Sequence, residues 1–572
     1  MKFKRNISLA MMAVLTISSM LLGGCGDSES SSINEKSSTV VGDIKESSTV
    51  VADSEDNSTV AADGEIGLSA YEETVQVNIL RAVQPSETYV EGESMDDNVI
   101  TRFIMEKLNI EVVNKWSVAD DQYSTQLEML IASDELPDMA ETGLSNVVDM
   151  YEYGQIQSLT EAYEEYASDY LRSYLEYEDK RAFESVTFDG ELYALPLPND
   201  MADYISVAYV REDWRKELGL DEPKTLEDYY DMAKAFVEND MAGQGKNNTI
   251  GIGMASDLGY VLDSLAAPFG AYQDRWLDYG DGTLQYSYLR PEMKEALQYI
   301  NQCYNDGLID ANFASGNWNQ TIELALQGRV GIVYGPFWYT VLSLRSSITE
   351  DSDIEWKAYP IAVNNDTGEL NVPAGEATHR YLVCREGYEN PEALVKLMNL
   401  WAEIWQGQYA EWFYGLIAEG EAYQGMELKY YYPLFFDPPE KNVDLGASLR
   451  EAFADPDNPD PSNLTPEAMT AYNTLMNPEE DHAYTEMIWF NVFKVISDYS
   501  EGGNYIYTDY QGPTTENMTS YNGLCKSYIK GEFIKLITGE RSFEDWDEIV
   551  AEWYNIGGKA IEEDVNEWYK NR

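Results

Sequence analysis

Thr74-Val-Gln-Val-Asn-Ile-Leu80 alternates apolar and polar side chains, the period of a strand with one face buried. Next, Ile100, Phe103, Ile104 and Leu108 recur at helical spacing, with Asp96 or Asp97 placed to cap the run. Ile110–Val113 reads as a second strand. Tyr123, Leu127, Leu130 and Ile131 mark a second helix, which should stop at Leu136-Pro137-Asp138. Strand, helix, strand, helix in this order predicts an α/β sheet covered by helices.

Further helices lie outward from this start. Thr225 caps a run that turns Leu226, Tyr229, Tyr230, Ala233, Phe236 and Val237 inward. Pro291 opens a helix with Met293, Leu297, Ile300 and Tyr304 on one stripe, closed by Gly307. Ser542 opens another with Phe543, Trp546, Ile549, Val550 and Trp553, closed by Gly557-Gly558. From Thr74 to Arg572 the chain holds about 500 residues, more than one simple core accommodates and natural for two lobes.

Composition excludes several functions. The formal charge is −64, so nucleic-acid binding, which needs Lys and Arg patches, is not expected. With Cys25 set aside, Cys303, Cys384 and Cys525 are odd in number and read as small buried apolar residues rather than a disulfide framework. His379 and His482 are the only histidines, which leaves little material for a His-based zinc site or a Cys–His pair. Aromatics reach 13%, with 43 Tyr and 13 Trp. Most must be core, but flat rings with a polar handle also suit the apolar face and rim hydroxyls of a pyranose.

The N-terminus reads as an export signal. Lys2, Lys4 and Arg5 precede an apolar run from Ile7 to Leu22 that ends in Leu22-Gly23-Gly24-Cys25. That ending resembles the lipobox of bacterial lipoproteins, which implies a signal peptide over 1–24 and acylation of Cys25. It also implies a place on the extracytoplasmic face of the cell membrane. Residues 25–72 are rich in Ser, Asp, Glu and Gly. They repeat Ser-Ser-Thr-Val-Val-Gly-Asp (37–43) as Ser-Ser-Thr-Val-Val-Ala-Asp (47–53) and Asn-Ser-Thr-Val-Ala-Ala-Asp (57–63). Such a segment cannot bury enough apolar surface to offset its ordering entropy and reads as a disordered tether.

Several stretches, in order along the chain, resemble the extracellular solute-binding proteins of ABC importers, family 1 type, and among them the large sugar-binding lipoproteins. They include Ala132-Ser-Asp-Glu-Leu-Pro-Asp138, Asp189-Gly-Glu-Leu-Tyr-Ala-Leu-Pro196, Arg211-Glu-Asp-Trp214, Gly307-Leu-Ile-Asp310, Pro391-Glu-Ala393 and Gly557-Gly-Lys-Ala-Ile-Glu-Glu-Asp-Val-Asn-Glu-Trp-Tyr569. The resemblance implies a two-lobed, periplasmic-binding-protein-like α/β fold with hinge crossings, type II. The lobes would be 73–201 with 372–440, and 202–371 with 441–572. It implies a monomer that traps a carbohydrate, an oligosaccharide, and hands it to membrane permease subunits, with no catalysis and no cofactor. Peptide or other polar-solute capture is the alternative. A surface glycoside hydrolase would need two suitably spaced carboxylates, and no hydrolase motif accompanies any such pair.

The resemblance also points to site residues. Gly335-Pro336-Phe337-Trp338 follows the apolar strand Val330–Tyr334 and is similar to a Gly-Pro-aromatic-Trp stretch of maltodextrin-binding proteins. Trp338 then reads as a stacking platform, or else as a core Trp at a strand-to-helix turn. Trp276 is a second stacking candidate, and Asn199, Asp200 and Asp203 could meet hydroxyls after the first crossing. Tyr339 and Trp318 complete the set. Relatives often carry an EF-hand-like Ca²⁺ loop after the helix ending near 238. Here Asp240, Gln244 and Asn248 could supply oxygens but Ala242 interrupts the alternation, so no metal is expected.

Overall fold

The computed structural model describes residues 66–571, apart from 246–247, 350, 377, 418–421 and 425. Cys25, the signal segment and nearly all of the tether lie outside the described residues.

The opening strand is realised as β1 (Val75–Val83), followed by β2 (Ile110–Ala119), β3 (Met139–Thr142) and β4 (Ala194–Pro198). β5 (Val207–Arg211), β6 (Ile250–Ile252), β7 (Val330–Gly335), β8 (Trp356–Tyr359) and β9 (Thr378–Cys384) complete the two principal sheets. The N-terminal sheet has the order β2-β1-β3-β9-β4 and the C-terminal sheet β8-β5-β7-β6. β1 runs parallel to β2 and β3, and β9 runs antiparallel to both of its neighbours. β2 is longer than the sequence suggests because it pairs with β1 along its whole length.

Local signals account for most helix ends. The helix Val99–Leu108 is capped by Asn98, not by Asp96 or Asp97. The Asn98 Oδ1 accepts from the amides of Ile100 and Thr101, both at 3.0 Å, and the Thr101 hydroxyl accepts the Asn98 amide in return. Thr225 caps the helix Leu226–Glu238 through the same reciprocal box with Asp228. Gly557 (φ 132°) does turn the chain after Trp553, but the chain resumes as the helix Lys559–Asn571 rather than stopping.

Each sheet has its own packing. β1, β3, β4 and β9 share one core with the helix Glu392–Trp405. In the other lobe, Ala208, Val210 and Ile332 face one cluster, while Val207, Tyr209, Val330 and Val333 face another. Burial on both faces explains why Val330–Tyr334 is a continuous apolar run. Cys303, Cys384 and Cys525 are free thiols in these interiors.

The chain passes between the lobes three times: from β4 to β5, from β8 to β9, and after Phe436 into the helix Lys441–Ala452. The first and third passages run side by side. The Asp437 amide donates to the Pro198 carbonyl (2.9 Å) and the Met201 amide to the Pro439 carbonyl (2.8 Å). The second meets the first at Gly375, where a Cβ would lie 2.7 Å from the Tyr204 Cβ. The chain joins the N-terminal lobe at Ile66–Leu68. There Lys396 Nζ donates to the Ile66 carbonyl (2.8 Å) and the Ser69 carbonyl (2.7 Å), and Asn399 Nδ2 donates to the Gly67 carbonyl (3.0 Å).

Candidate functional site

Strand direction brings polar chemistry to one place. β1 and β3 end, and β9 begins, at one edge of the N-terminal sheet, so Arg81, Glu141 and Arg380 gather there. That is the end of an open α/β sheet at which ligands bind. A cavity of about 340 Å³ opens at this edge. Beside Arg81, Glu141 and Arg380 it is lined by Asp120, Tyr123 and Lys429. Its volume lies near the lower end of the range for ligand pockets, about 300–1,000 Å³.

In the other lobe, β7 ends at Gly335 and leads into Pro336-Phe337-Trp338. Gly335 is required because a Cβ there would run into the Tyr339 ring. The turn leaves Trp338 half-buried, its indole nitrogen donating to the Asp203 carbonyl at 3.1 Å. The ring meets Tyr339 edge-to-face at 4.8 Å and Tyr260 edge-to-face at 6.1 Å. These arrangements suit aromatic quadrupoles. Trp318 stacks on Tyr339, with ring centroids 4.8 Å apart.

A chain of polar contacts links this cluster to the cavity. Tyr204 lies next to Asp203 on the first passage, and its hydroxyl is 3.2 Å from His379 Nδ1. Asn199 Nδ2 donates to the Tyr204 hydroxyl at 3.3 Å. Arg380 donates to Asn199 Oδ1 (3.2 Å), to the Phe435 carbonyl (2.9 Å) and to Glu141 Oε2 (2.6 Å). Burial holds the Glu141 carboxyl above its ordinary range against the opposing pull of Arg380. Burial and the nearby Asp437 carboxylate raise Asp203 to about 6, with Lys441 and Lys429 pulling the other way. Burial and the Arg380 charge lower His379.

The named candidates separate in the structure. Trp338, Asn199 and Asp203 come together at the passages. Asp200 does not face open space. It is 2% exposed, and its carboxylate accepts the Ala202 amide (2.8 Å) and the Asn442 amide (2.7 Å), tying the first passage to the third. Burial raises it to about 8 although both amides favour the charged form. Tyr339 is 3% exposed and serves as the floor beneath Trp338 and Trp318. Trp276 is 8% exposed and packs on Tyr286 and Trp553, in a different cluster from Trp338. Tyr204, Tyr260, His379, Arg380 and Glu141 were not singled out from sequence. The usable signal was their position at strand ends and crossings, which requires knowing the strand order.

The loop after residue 238 closes on itself. Asp240 accepts the Gly245 amide (2.9 Å) and the Thr249 hydroxyl (3.3 Å), and the Asn248 amide group donates to the Gln244 carbonyl (2.8 Å). The Arg329 guanidinium lies 3.4 Å from Asn248 Oδ1, a cation where a metal would need a ligand. The described residues of this loop do not fit Ca²⁺.

Comparison with known proteins agrees with the fold. Residues 86–403 match the model of the bacterial extracellular solute-binding protein family. Lipoprotein LipO of Bacillus subtilis (strain 168) is 28% identical over 42% of this chain and 47% of its own length. The polygalacturonan/rhamnogalacturonan-binding protein YtcQ of the same organism is 28% identical over 40% of this chain and 45% of its own. The chain thus spans about half the length of these curated relatives. The crystal structure of an extracellular solute-binding protein from Bifidobacterium longum subsp. infantis shares the fold, with a TM-score of 0.59 and 15% identity over 87% of this chain and 98% of that one. With more than half of its length under the family model, the chain belongs to the bacterial extracellular solute-binding proteins.

Proposed function

We propose that this protein captures an oligosaccharide between its lobes, 73–201 with 372–440 and 202–371 with 441–572, and delivers it to the permease subunits of an ABC importer. It performs no chemistry on the ligand and needs no cofactor. It acts as a monomer held on the extracytoplasmic face of the membrane by acyl chains on Cys25, after removal of residues 1–24.

The observation that carries this reading is the half-buried Trp338, in T-shaped contact with Tyr339 and Tyr260, beside the polar contacts of Asn199 with Tyr204 and Arg380 and of Tyr204 with His379. An aromatic face offers apolar contact to sugar C–H groups without demanding hydrogen bonds, and the neighbouring amide, imidazole and guanidinium read hydroxyl positions. The name of YtcQ, a polygalacturonan/rhamnogalacturonan-binding relative, supports a carbohydrate. The test is titration calorimetry with a panel of neutral and acidic oligosaccharides beside short peptides. Saturable binding of a saccharide without release of shorter products is expected. Binding confined to peptides, or cleavage of the saccharide, would overturn the reading.

A further inference from the structure

In a chain with 38 basic and 102 acidic residues, a cavity chosen at random should be lined mostly by carboxylates. The N-terminal-lobe cavity is not: Arg81, Arg380 and Lys429 line it against Asp120 and Glu141. Resting on the carbohydrate reading above, we infer that this cavity receives a carboxylate of the ligand, so that the oligosaccharide taken up is a uronate rather than a neutral sugar.

Each cation has reason to accept a further partner. Arg81 is 5% exposed. One of its terminal nitrogens donates to Glu87 (2.8 Å) and to the Tyr430 carbonyl (2.5 Å), yet its Nε is buried with no hydrogen-bond partner among the described residues. A buried donor on a charged group is costly to leave unmade, so the Arg81 guanidinium is under-satisfied where it lines the cavity. Arg380 is matched by Glu141, whose charged form burial already disfavours, so an incoming carboxylate can take over that pairing while Glu141 takes a proton. Lys429 Nζ stands 3.4 Å from a Glu427 carboxylate that is 54% exposed, a pair that water keeps weak. Lys429 also acts on the charge of Asp203, whose carbonyl accepts the Trp338 indole N–H. A guanidinium and an ammonium at one cavity edge suit a carboxylate, through charge-assisted hydrogen bonds that a hydroxyl cannot match.

Titration of the full chain with trigalacturonate and with its methyl ester, which has the same skeleton without charge, tests this. The acid should bind about tenfold tighter than the ester, a difference of about 1.4 kcal/mol. Added salt should narrow the gap. In Lys429→Gln the ratio should fall toward one with an unchanged melting temperature, and Lys429→Arg should restore it. Equal binding of acid and ester overturns the inference, as does an acid preference that Lys429→Gln leaves intact. Triglutamate, with its carboxylates on a peptide skeleton, should bind more weakly than the uronate, and tighter binding would also overturn it. If a neutral oligosaccharide binds and the uronate does not, the carbohydrate reading stands and this inference alone fails. If no saccharide binds, both fail.

Discussion

At the scale of single residues, Trp338 and Asp203 make opposite demands on solvent. Trp338 stays half-buried while its indole N–H is held by the Asp203 carbonyl. Trp338→Ala should therefore weaken ligand binding by about 1–3 kcal/mol, the range of aromatic hot spots. Its stability cost should stay below the ~3–5 kcal/mol of a fully buried aromatic. Calorimetry and a thermal melt on that one variant check both, and lost stability with intact affinity would remove Trp338 from the site. Asp203 is raised to about 6, chiefly by burial. Its unfolded value is about 3.9, so the folded protein holds the extra proton between those two values and stability falls as pH climbs from 4 through 6. Asp203→Asn should flatten that part of the melting-temperature profile and raise the melting temperature at pH 7.5. A variant that melts lower than the parent at pH 7.5 would show that the carboxylate is stabilised by contacts other than those described.

At the scale of elements, the passages between the lobes are held by backbone pairing, and Asp200 is the side chain that joins two of them. Asp200→Ala leaves the Ala202 and Asn442 amides without their acceptor, at about 1–3 kcal/mol for the buried Ala202 donor and less for the part-buried Asn442 donor. Urea unfolding should report that loss, and a change under about 0.5 kcal/mol would mean that water replaces the carboxylate. This case also shows where sequence reading stops. The alternation in Thr74–Leu80, the helical stripes and the apolar run before Gly335 were legible because each depends on neighbours a few residues away. From sequence, Asp200 is a candidate to meet ligand hydroxyls after the first crossing; in the structure its carboxylate is buried against two amides. Whether its carboxylate faced a cleft or an amide depended on Asn442, far along the chain. Asn98 took the cap expected at Asp96 or Asp97 because boundaries turn on one residue's backbone angles rather than on a periodic pattern. Trp338 carries the Gly-Pro-aromatic-Trp motif and Trp276 does not, but it is the packing on Tyr286 and Trp553 that puts Trp276 in a different cluster.

At the scale of the whole molecule, two lobes, each built on its own sheet and joined by three passages of chain, favour hinge motion. A ligand that contacts both lobes binds the closed form better and shifts the balance toward it. Small-angle scattering should show a smaller radius of gyration with saturating saccharide. The same saccharide at 100 times its Kd should add about 2.7 kcal/mol of stability by mass action. An unchanged radius with tight binding would mean that the ligand is held by one lobe alone. Cys25→Ala should leave the protein unprocessed or released from the membrane, as detergent partitioning would show. Membrane retention with unaltered acylation would end the lipid-anchor reading.

The grip of Lys396 and Asn399 on Ile66–Leu68 has a mechanical side. Any pull transmitted along the residues ahead of Ile66 is delivered to the helix Glu392–Trp405, and so to one jaw of the molecule only. Opening and shutting of the jaws therefore leave this attachment undisturbed, because its hydrogen bonds all lie within one jaw.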